Sequence, residues 1–74
     1  MEAIYIKDEF IKLGQALKLA GLVEMGTEAK EVITEGLVKV NGEVEYQRGK
    51  KLYEGFKVEY NGESFIVKKK DNIW

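Results

Sequence analysis

The chain has 74 residues, of which 12 are basic and 13 acidic, so its net charge is −1. A chain of this length forms one domain, here residues 1–74, and its hydrophobic fraction of 45% is ordinary for a small folded core. Cysteine and histidine are absent, which excludes disulfides, thiol chemistry and cysteine-ligated zinc and removes the commonest general base. We therefore predict a protein that is not an enzyme and that holds no metal and no cofactor.

The sequence contains no signal for membrane insertion or export. No apolar run approaches the roughly 20 residues that a membrane-spanning helix needs. Residues 1–4 have neither the basic start nor the apolar stretch of a signal peptide. We expect a cytoplasmic protein that acts as a monomer and does not bind membranes.

The first predicted elements are a short strand and a helix. Ile4 and Ile6 alternate with Tyr5 and Lys7, which predicts a strand. Farther along, apolar residues recur at steps of three and four and predict one buried helix face, made of Leu13, Ala16, Leu17 and Ala20. Gly21 is the type of residue that ends a helix.

A second helix is predicted to start near Gly26-Thr27, with Thr27 as its N-cap and Glu28 at its positive end. Its apolar face contains Ala29, Val32, Ile33 and Gly36. One edge of that face is acidic and consists of Glu28, Glu31 and Glu35. The other edge carries Thr27, Lys30 and Thr34. The helix therefore separates its charges by sign.

Two Asn-Gly pairs predict β-hairpins. Around Asn61-Gly62, a two-residue turn produces a mostly apolar face, because it pairs Phe56 with Val67, Val58 with Phe65 and Tyr60 with Glu63.

The hairpin around Asn41-Gly42 is predicted to have a longer loop. A two-residue turn would set Val38 opposite a glutamate, which mixes the two faces. A three-residue loop ending on the glycine instead places Val38 across from Val44 and Lys39 across from Glu43. We predict this loop, with Lys39 on the solvent side.

Several short motifs follow one another in a fixed order. The first helix carries Lys12-Leu13 and Gln15-Ala16-Leu17-Lys18, and the second carries Gly26-Thr27, Glu28-Ala29-Lys30, Ile33 and Glu35-Gly36. The hairpin of residues 38–42 comes next, and the segment closes on Leu52, Gly55 and Val58. In this order the motifs resemble the S-four domain, the RNA-binding domain named after ribosomal small-subunit protein four, over about residues 12–60.

Residues 13–20 and 48–52 are similar to those of the small stand-alone members of that family, the YaaA-like and YbcJ-like bacterial proteins. Two positions depart from the family pattern. Gly26-Thr27 stands where the stand-alone members tend to have two glycines, and Gly14 stands where an aspartate N-cap is common.

The resemblance implies an α+β fold, in which two packed helices lie against a mostly antiparallel sheet built from hairpins, the alpha-L RNA-binding motif. We expect the N-terminal strand to join the C-terminal one. The resemblance also implies non-catalytic binding of structured RNA, first ribosomal RNA and second transfer RNA, with the ribosome or a ribosome-associated factor as a further partner. The RNA-binding residues that we predict are Lys12, Gln15, Lys18, Gly26, Thr27, Lys30, Lys39, Arg48, Lys50 and Lys51.

The chemistry of these residues suits phosphate. Gly26-Thr27 would present backbone amides at a positive helix end, Arg48 can bind phosphate with two nitrogens, and lysines act as point charges. Each feature also has a plainer interpretation, as an ordinary helix start or a solvated charged loop.

The near-neutral charge is the main argument against nucleic-acid binding, because RNA-binding proteins usually carry a basic excess. The alternative function is a protein-interaction module that docks on a ribosomal or DNA-maintenance partner, which the acidic edge of the second helix favours. A ubiquitin-like carrier is a poor third reading, since the chain does not end in Gly-Gly.

Three further features have no firm place in this reading. We expect the four tyrosines to pack in the core or on the sheet, with base stacking as the alternative; they are Tyr5, Tyr46, Tyr53 and Tyr60. The run Lys68-Lys69-Lys70 keeps the end of the chain solvated, with diffuse phosphate attraction as the alternative. Trp74 has no explanation from the sequence.

Overall fold

The computed structural model describes residues 2–70, so Trp74 lies outside the described residues. Within this range the chain forms two helices, α1 (Leu13–Leu19) and α2 (Gly26–Thr34). The strands are β1 (Glu2–Ile6), β2 (Ile11–Lys12), β3 (Val38–Val40), β4 (Glu43–Val44), β5 (Lys51–Leu52), β6 (Lys57–Tyr60) and β7 (Glu63–Lys69). Neither helix in this range is long and apolar enough to cross a membrane.

Five strands form one sheet in the order β1-β7-β6-β3-β4. All neighbouring pairs in it are antiparallel except β1 and β7, which run parallel. The α+β fold is therefore confirmed, and so is the predicted pairing of the N-terminal strand with the C-terminal one. The remaining strands, β2 and β5, form a separate antiparallel ribbon. The sequence pattern does not predict this ribbon, because strands of two residues carry no periodicity.

The hydrophobic core lies between the helices and the inner face of the sheet. The predicted inward residues of both helices are buried, namely Leu13, Ala16, Leu17, Ala29, Val32 and Ile33. The sheet adds inward residues from four strands, including Ile4, Ile6, Val38, Val58 and Phe65. Ala20 and Gly36 are only half-buried, because each follows the last turn of its helix. Packing of these apolar faces holds the two short helices in place, since helices of this length are marginal alone.

Both helices end on a glycine in the left-handed region. The φ angles are +77° at Gly21 and +76° at Gly36. In α1, the Gly21 amide donates to the Lys18 carbonyl and the Leu22 amide donates to the Leu17 carbonyl. The same two bonds recur at the end of α2. This is the Schellman arrangement, and it confirms that Gly21 ends the first helix.

The hairpin around Asn61-Gly62 has the predicted register. Val58 lies opposite Phe65 and Tyr60 lies opposite Glu63. Both turn residues have positive φ, +54° and +79°, as a two-residue hairpin turn requires.

The hairpin around Asn41-Gly42 differs from the prediction. Lys39 pairs with Val44 and Val40 pairs with Glu43, so the turn contains only Asn41 and Gly42. Both have positive φ, +53° and +88°. The predicted three-residue loop, with Lys39 opposite Glu43, is therefore wrong.

The physical reason for this register is the position of β3 in the sheet. Val40 is buried against β6, where it pairs with Val58, and does not depend on β4 for a partner. β4 is a short edge strand with both residues exposed, so its two faces need not differ in polarity. Asn41 is also held by two hydrogen bonds to Lys57 of β6. Its backbone amide donates to the Lys57 carbonyl at 2.8 Å, and its side-chain Oδ1 accepts from the Lys57 backbone amide at 2.9 Å. The prediction that Lys39 faces solvent is confirmed.

The start of α2 also differs from the prediction. The N-cap residue is Met25, without a side-chain cap, and Thr27 lies inside the first turn. The predicted N-cap role of Thr27 is therefore wrong. Glu28 instead holds the preceding segment against the first turn, because its Oε1 accepts the backbone amide of Glu24 at 3.0 Å. A first-turn carboxylate makes this bond without help from the threonine hydroxyl.

Candidate nucleic-acid interface

An open groove of about 330 Å³ lies where the starts of both helices meet the loop before β5. We call it the basic groove, and it is lined by Lys12, Gly14, Gln15, Lys18, Gly26, Ala29, Arg48 and Gly49. None of these lining residues is acidic. Its three cationic side chains, Lys12, Lys18 and Arg48, are all exposed to solvent. A surface of this kind attracts anions although the whole chain is slightly acidic.

The loop that carries Arg48 is fixed to the start of α1 by two backbone hydrogen bonds. The Leu13 amide donates to the Lys50 carbonyl at 2.9 Å, and the Gly14 amide donates to the Arg48 carbonyl at 3.1 Å. These bonds satisfy amides that a helix start leaves without an intrahelical partner. Two amides at the N-terminus of α1 are therefore satisfied by the protein itself, and the loop is held in a defined position.

Gly14 allows the Arg48 side chain to cross the start of α1. A Cβ atom placed on Gly14 would lie 2.7 Å from Cγ and 3.3 Å from Cδ of Arg48. The first distance is far below van der Waals contact, so any side chain at residue 14 would displace Arg48. The glycine at residue 14, where the sequence pattern commonly has an aspartate, therefore leaves the space that the Arg48 side chain occupies.

The N-terminus of α2 opens onto the groove. Gly26 lines the groove, and a Cβ there would meet no atom within 4 Å. The first amides of a helix lack intrahelical acceptors and carry the positive end of the helix dipole. An anion in the groove can therefore approach this backbone closely. The Glu28 carboxylate, which would oppose an anion, is engaged by the Glu24 amide, and neither residue lines the groove.

Half of the ten predicted site residues line the basic groove and half do not. Those that it brings together are Lys12, Gln15, Lys18, Gly26 and Arg48. Thr27 and Lys30 are exposed on α2 but are not lining residues. Lys39 lies on the sheet between Val44 and Glu59 and lines a different concave surface.

The last two predicted residues lie next to the groove along the chain. Lys50 is half-buried, its carbonyl accepts a hydrogen bond from the Leu13 amide, and it lines a separate concavity with Phe56 and Glu45. Lys51 is exposed on β5, directly opposite Lys12 of β2.

Three residues that line the groove are missing from the predicted set. Gly14 directly precedes the predicted Gln15, and Gly49 stands between the predicted Arg48 and Lys50, so adjacency was the available signal. Ala29 belongs to the apolar face of α2, and only the packing of the two helices brings it to the groove. Among residues 2–70, no group of His, Cys, Asp and Glu side chains is arranged to hold a metal ion.

The sequence matches the S4 domain family over residues 4–68. The chain belongs to the S4 domain family. The S4 domain is the S-four domain of the motif comparison, and the match extends at both ends beyond residues 12–60.

Small proteins with an S4 domain are among the relatives of this chain. The Probable ribosome maturation protein RlbA of Bacillus subtilis (strain 168) is 48% identical over 59 residues, which cover 80% of this chain and 83% of that protein. The Putative RNA-binding protein YbcJ of Escherichia coli (strain K12) is 41% identical over 61 residues, which cover 82% of this chain and 87% of that protein. The resemblance to small stand-alone S4 domain proteins is therefore confirmed.

Proposed function

We propose that this S4 domain protein binds structured RNA, without catalysis, through phosphate and shape contacts in the basic groove. The observation that carries the proposal is the grouping of Lys12, Lys18 and Arg48 around an α2 N-terminus, in a concavity with no acidic lining residue. The names of the two relatives, a putative RNA-binding protein and a probable ribosome maturation protein, support it.

The roles of the groove residues follow from their chemistry. The Arg48 guanidinium suits a bidentate contact with one phosphate, whereas Lys12 and Lys18 act as point charges on its neighbours. Gln15 can donate to or accept from a ribose hydroxyl or a phosphate. Because the edges of bases in an A-form helix are poorly accessible to side chains, such a groove reads the shape and backbone of the RNA.

Ribosomal RNA is the first ligand that we propose, and transfer RNA the second. The ribosome maturation name of the Bacillus relative supports the first choice. A near-neutral protein also gains little from long-range attraction to nucleic acid in general. Binding therefore depends on the groove, which favours a folded RNA whose phosphates match its geometry.

The proposal is tested by titrating the protein with a structured ribosomal RNA fragment and with a transfer RNA, at 50 and 200 mM salt. Three phosphate contacts predict that the affinity falls roughly 40-fold over this range. No binding to either RNA at the lower salt concentration would contradict the proposal. Salt-insensitive capture of a ribosomal protein would instead support the interaction-module alternative.

Variants of the groove make the same test specific. Lys18→Ala and Arg48→Ala should each reduce the slope of log affinity against log salt by about 0.9, the value expected for one phosphate contact. Lys7→Ala is the matched control, because Lys7 is an exposed lysine that does not line the groove. Equal effects of all three substitutions would place the RNA elsewhere on the protein.

A further inference from the structure

The ribbon of β2 and β5 has one exposed face that combines cations with aromatic rings. Ile11 pairs with Leu52 and Lys12 pairs with Lys51. Leu52 is fully buried and Ile11 packs against the core. Because side chains alternate along a strand, Lys12 and Lys51 project together from the opposite, exposed face.

Two lysines directly opposite each other are an unfavourable pair in a β-ladder. Among residues 2–70, neither Lys12 nor Lys51 forms an ion pair with a carboxylate. The Lys51 Nζ atom lies instead over the Phe10 ring, 4.8 Å from its centroid. No carboxylate of the described residues therefore offsets the repulsion between the two lysines, and an anion between them would relieve it.

Aromatic rings extend the same face beyond the lysines. The residues that flank the ribbon on its exposed side are Phe10 and Tyr53, whose ring centroids are 6.0 Å apart. The Phe56 ring also packs edge-on against the Tyr53 ring, and their centroids are 5.8 Å apart. Tyr53 nevertheless remains 43% exposed. It is an aromatic ring held in position by two others and still open to solvent.

We propose that this ribbon face binds an unpaired nucleotide that flanks the helical stem held in the basic groove. The base would stack on Tyr53, next to the tilted Phe10 ring, and its phosphate would lie between Lys12 and Lys51. Lys12 belongs both to the groove and to the ribbon, so the two surfaces are continuous. The inference rests on the proposed function, and it narrows the ligand from structured RNA to a stem with an unpaired neighbour, such as an overhang or a bulge.

Aromatic stacking distinguishes this ligand from a continuous duplex. Every base offers a flat face to an aromatic side chain, and each such contact changes affinity by at least about fivefold. A base inside a stem is already stacked on its neighbours and cannot use Tyr53. The ribbon therefore adds affinity only for RNA that carries an unpaired nucleotide.

The test compares one hairpin RNA with a blunt stem against three versions that carry an unpaired 2-aminopurine, as a 5′ overhang, a 3′ overhang or a bulge. We expect at least one of the three to bind the wild-type protein about fivefold or more tightly than the blunt hairpin, with quenching of 2-aminopurine fluorescence as the base stacks. Binding of the blunt hairpin with no gain and no quenching in any version would overturn this inference and leave the proposed function intact. Failure to bind any of the four RNAs would overturn both.

Variants then locate the stacking contact. Tyr53→Ala should remove the gain and the quenching but leave binding of the blunt hairpin unchanged, and Tyr53→Phe should retain both. Tyr5→Ala is the matched control, because Tyr5 is an exposed tyrosine on β1, outside the ribbon. Thermal unfolding checks that each variant is folded, and the wild-type quenching experiment decides the question if Tyr53→Ala is not. An equal loss of affinity for blunt and unpaired RNA would overturn the stacking role.

Discussion

Arg48 reaches the basic groove because residue 14 has no side chain. The two residues are far apart in the sequence, and two backbone hydrogen bonds bring their segments together at 2.9 and 3.1 Å. Alanine at residue 14 would improve the helix propensity of α1 by up to about 1 kcal/mol. Its Cβ would nevertheless lie 2.7 Å from Arg48 Cγ. The gain in helix propensity and the clash with Arg48 have opposite effects on the free energy of unfolding, but only the clash changes the basic groove.

Gly14→Ala is therefore expected to weaken RNA binding while changing the thermal midpoint little. The loss should approach, and not exceed, that of Arg48→Ala, about one phosphate contact in the salt dependence, because the added Cβ displaces the Arg48 side chain. In the Arg48→Ala background, Gly14→Ala should cause no further loss. A double-mutant cycle of RNA affinities measures this coupling. Independent losses that add in the double variant would show that Gly14 does not act through Arg48.

At the scale of elements, the two helices end in the same way but in different surroundings. Gly21 and Gly36 have nearly equal φ angles, +77° and +76°, and equivalent pairs of hydrogen bonds, donated by each glycine and by the residue after it, end the two helices. A Cβ on Gly21 would meet no atom within 4 Å. A Cβ on Gly36 would lie 3.1 Å from Cε1 of Tyr46, whose ring covers this helix end. Comparing substitutions at Gly21 and Gly36 therefore separates two contributions to the free energy of unfolding, the cost of the backbone conformation and the cost of the packing clash.

Gly21→Ala should lower the free energy of unfolding by roughly 1 kcal/mol, the usual cost of a side chain in the left-handed region. Gly36→Ala should cost more, because the Tyr46 ring must also shift. In a Tyr46→Ala background the two substitutions should cost the same. Urea unfolding with unchanged m-values measures all of these differences. If Gly36→Ala remained the costlier substitution without the ring, the packing explanation would be wrong.

At the scale of the whole molecule, folding separates charges that are mixed along the chain. The basic groove contains no acidic lining residue, whereas the acidic edge of α2 is exposed outside it. Charges farther apart than about 8 Å are largely screened at physiological salt, so the local sign of the groove matters more than the net charge. A net charge of −1 is therefore compatible with phosphate binding.

An ion pair connects the ribbon region to the large sheet. The Lys69 Nζ atom of β7 lies 2.6 Å from Glu9 Oε1, in the segment just before Phe10 and β2. A hydrogen bond and the positive charge of Lys69 lower the pKa of Glu9, and the same interactions with Glu9 raise the pKa of Lys69. Both side chains are solvent-exposed, so the contribution is small and sensitive to salt.

The pair gives this protein a defined pH dependence. Because the pKa of Glu9 is lower in the folded state, its contribution is present above the unfolded pKa and is lost as the pH falls through the folded value. Because the pKa of Lys69 is raised, its contribution is present below the unfolded pKa and is lost as the pH rises through the folded value. Glu9→Gln should therefore lower the thermal midpoint slightly between about pH 5 and pH 10, and not at pH 2 or in 1 M salt. A difference from wild type that persists at pH 2 would mean that Glu9 acts through something other than its charge.

The sequence by itself determined the features that depend on near neighbours. Apolar residues spaced three and four apart correctly predicted the buried faces of both helices, and Gly21 predicted the end of α1. The Asn61-Gly62 pair fixed its hairpin, because the turn and both strands lie within one short segment. The motifs in their order also identified the S4 domain family.

Only the tertiary structure decided the features that depend on distant partners. The Asn41-Gly42 hairpin follows its two-residue turn because β6 supplies the apolar partners of β3. The ribbon of β2 and β5 joins residues that are distant in the sequence, through two pairs with no periodicity to predict them. Half of the predicted site residues meet in the basic groove, because a loop docks on α1 while Lys30 and Lys39 lie elsewhere. Local pattern specifies which face of an element is apolar, but the cost of closing long loops is repaid only by contacts that form when the whole chain packs.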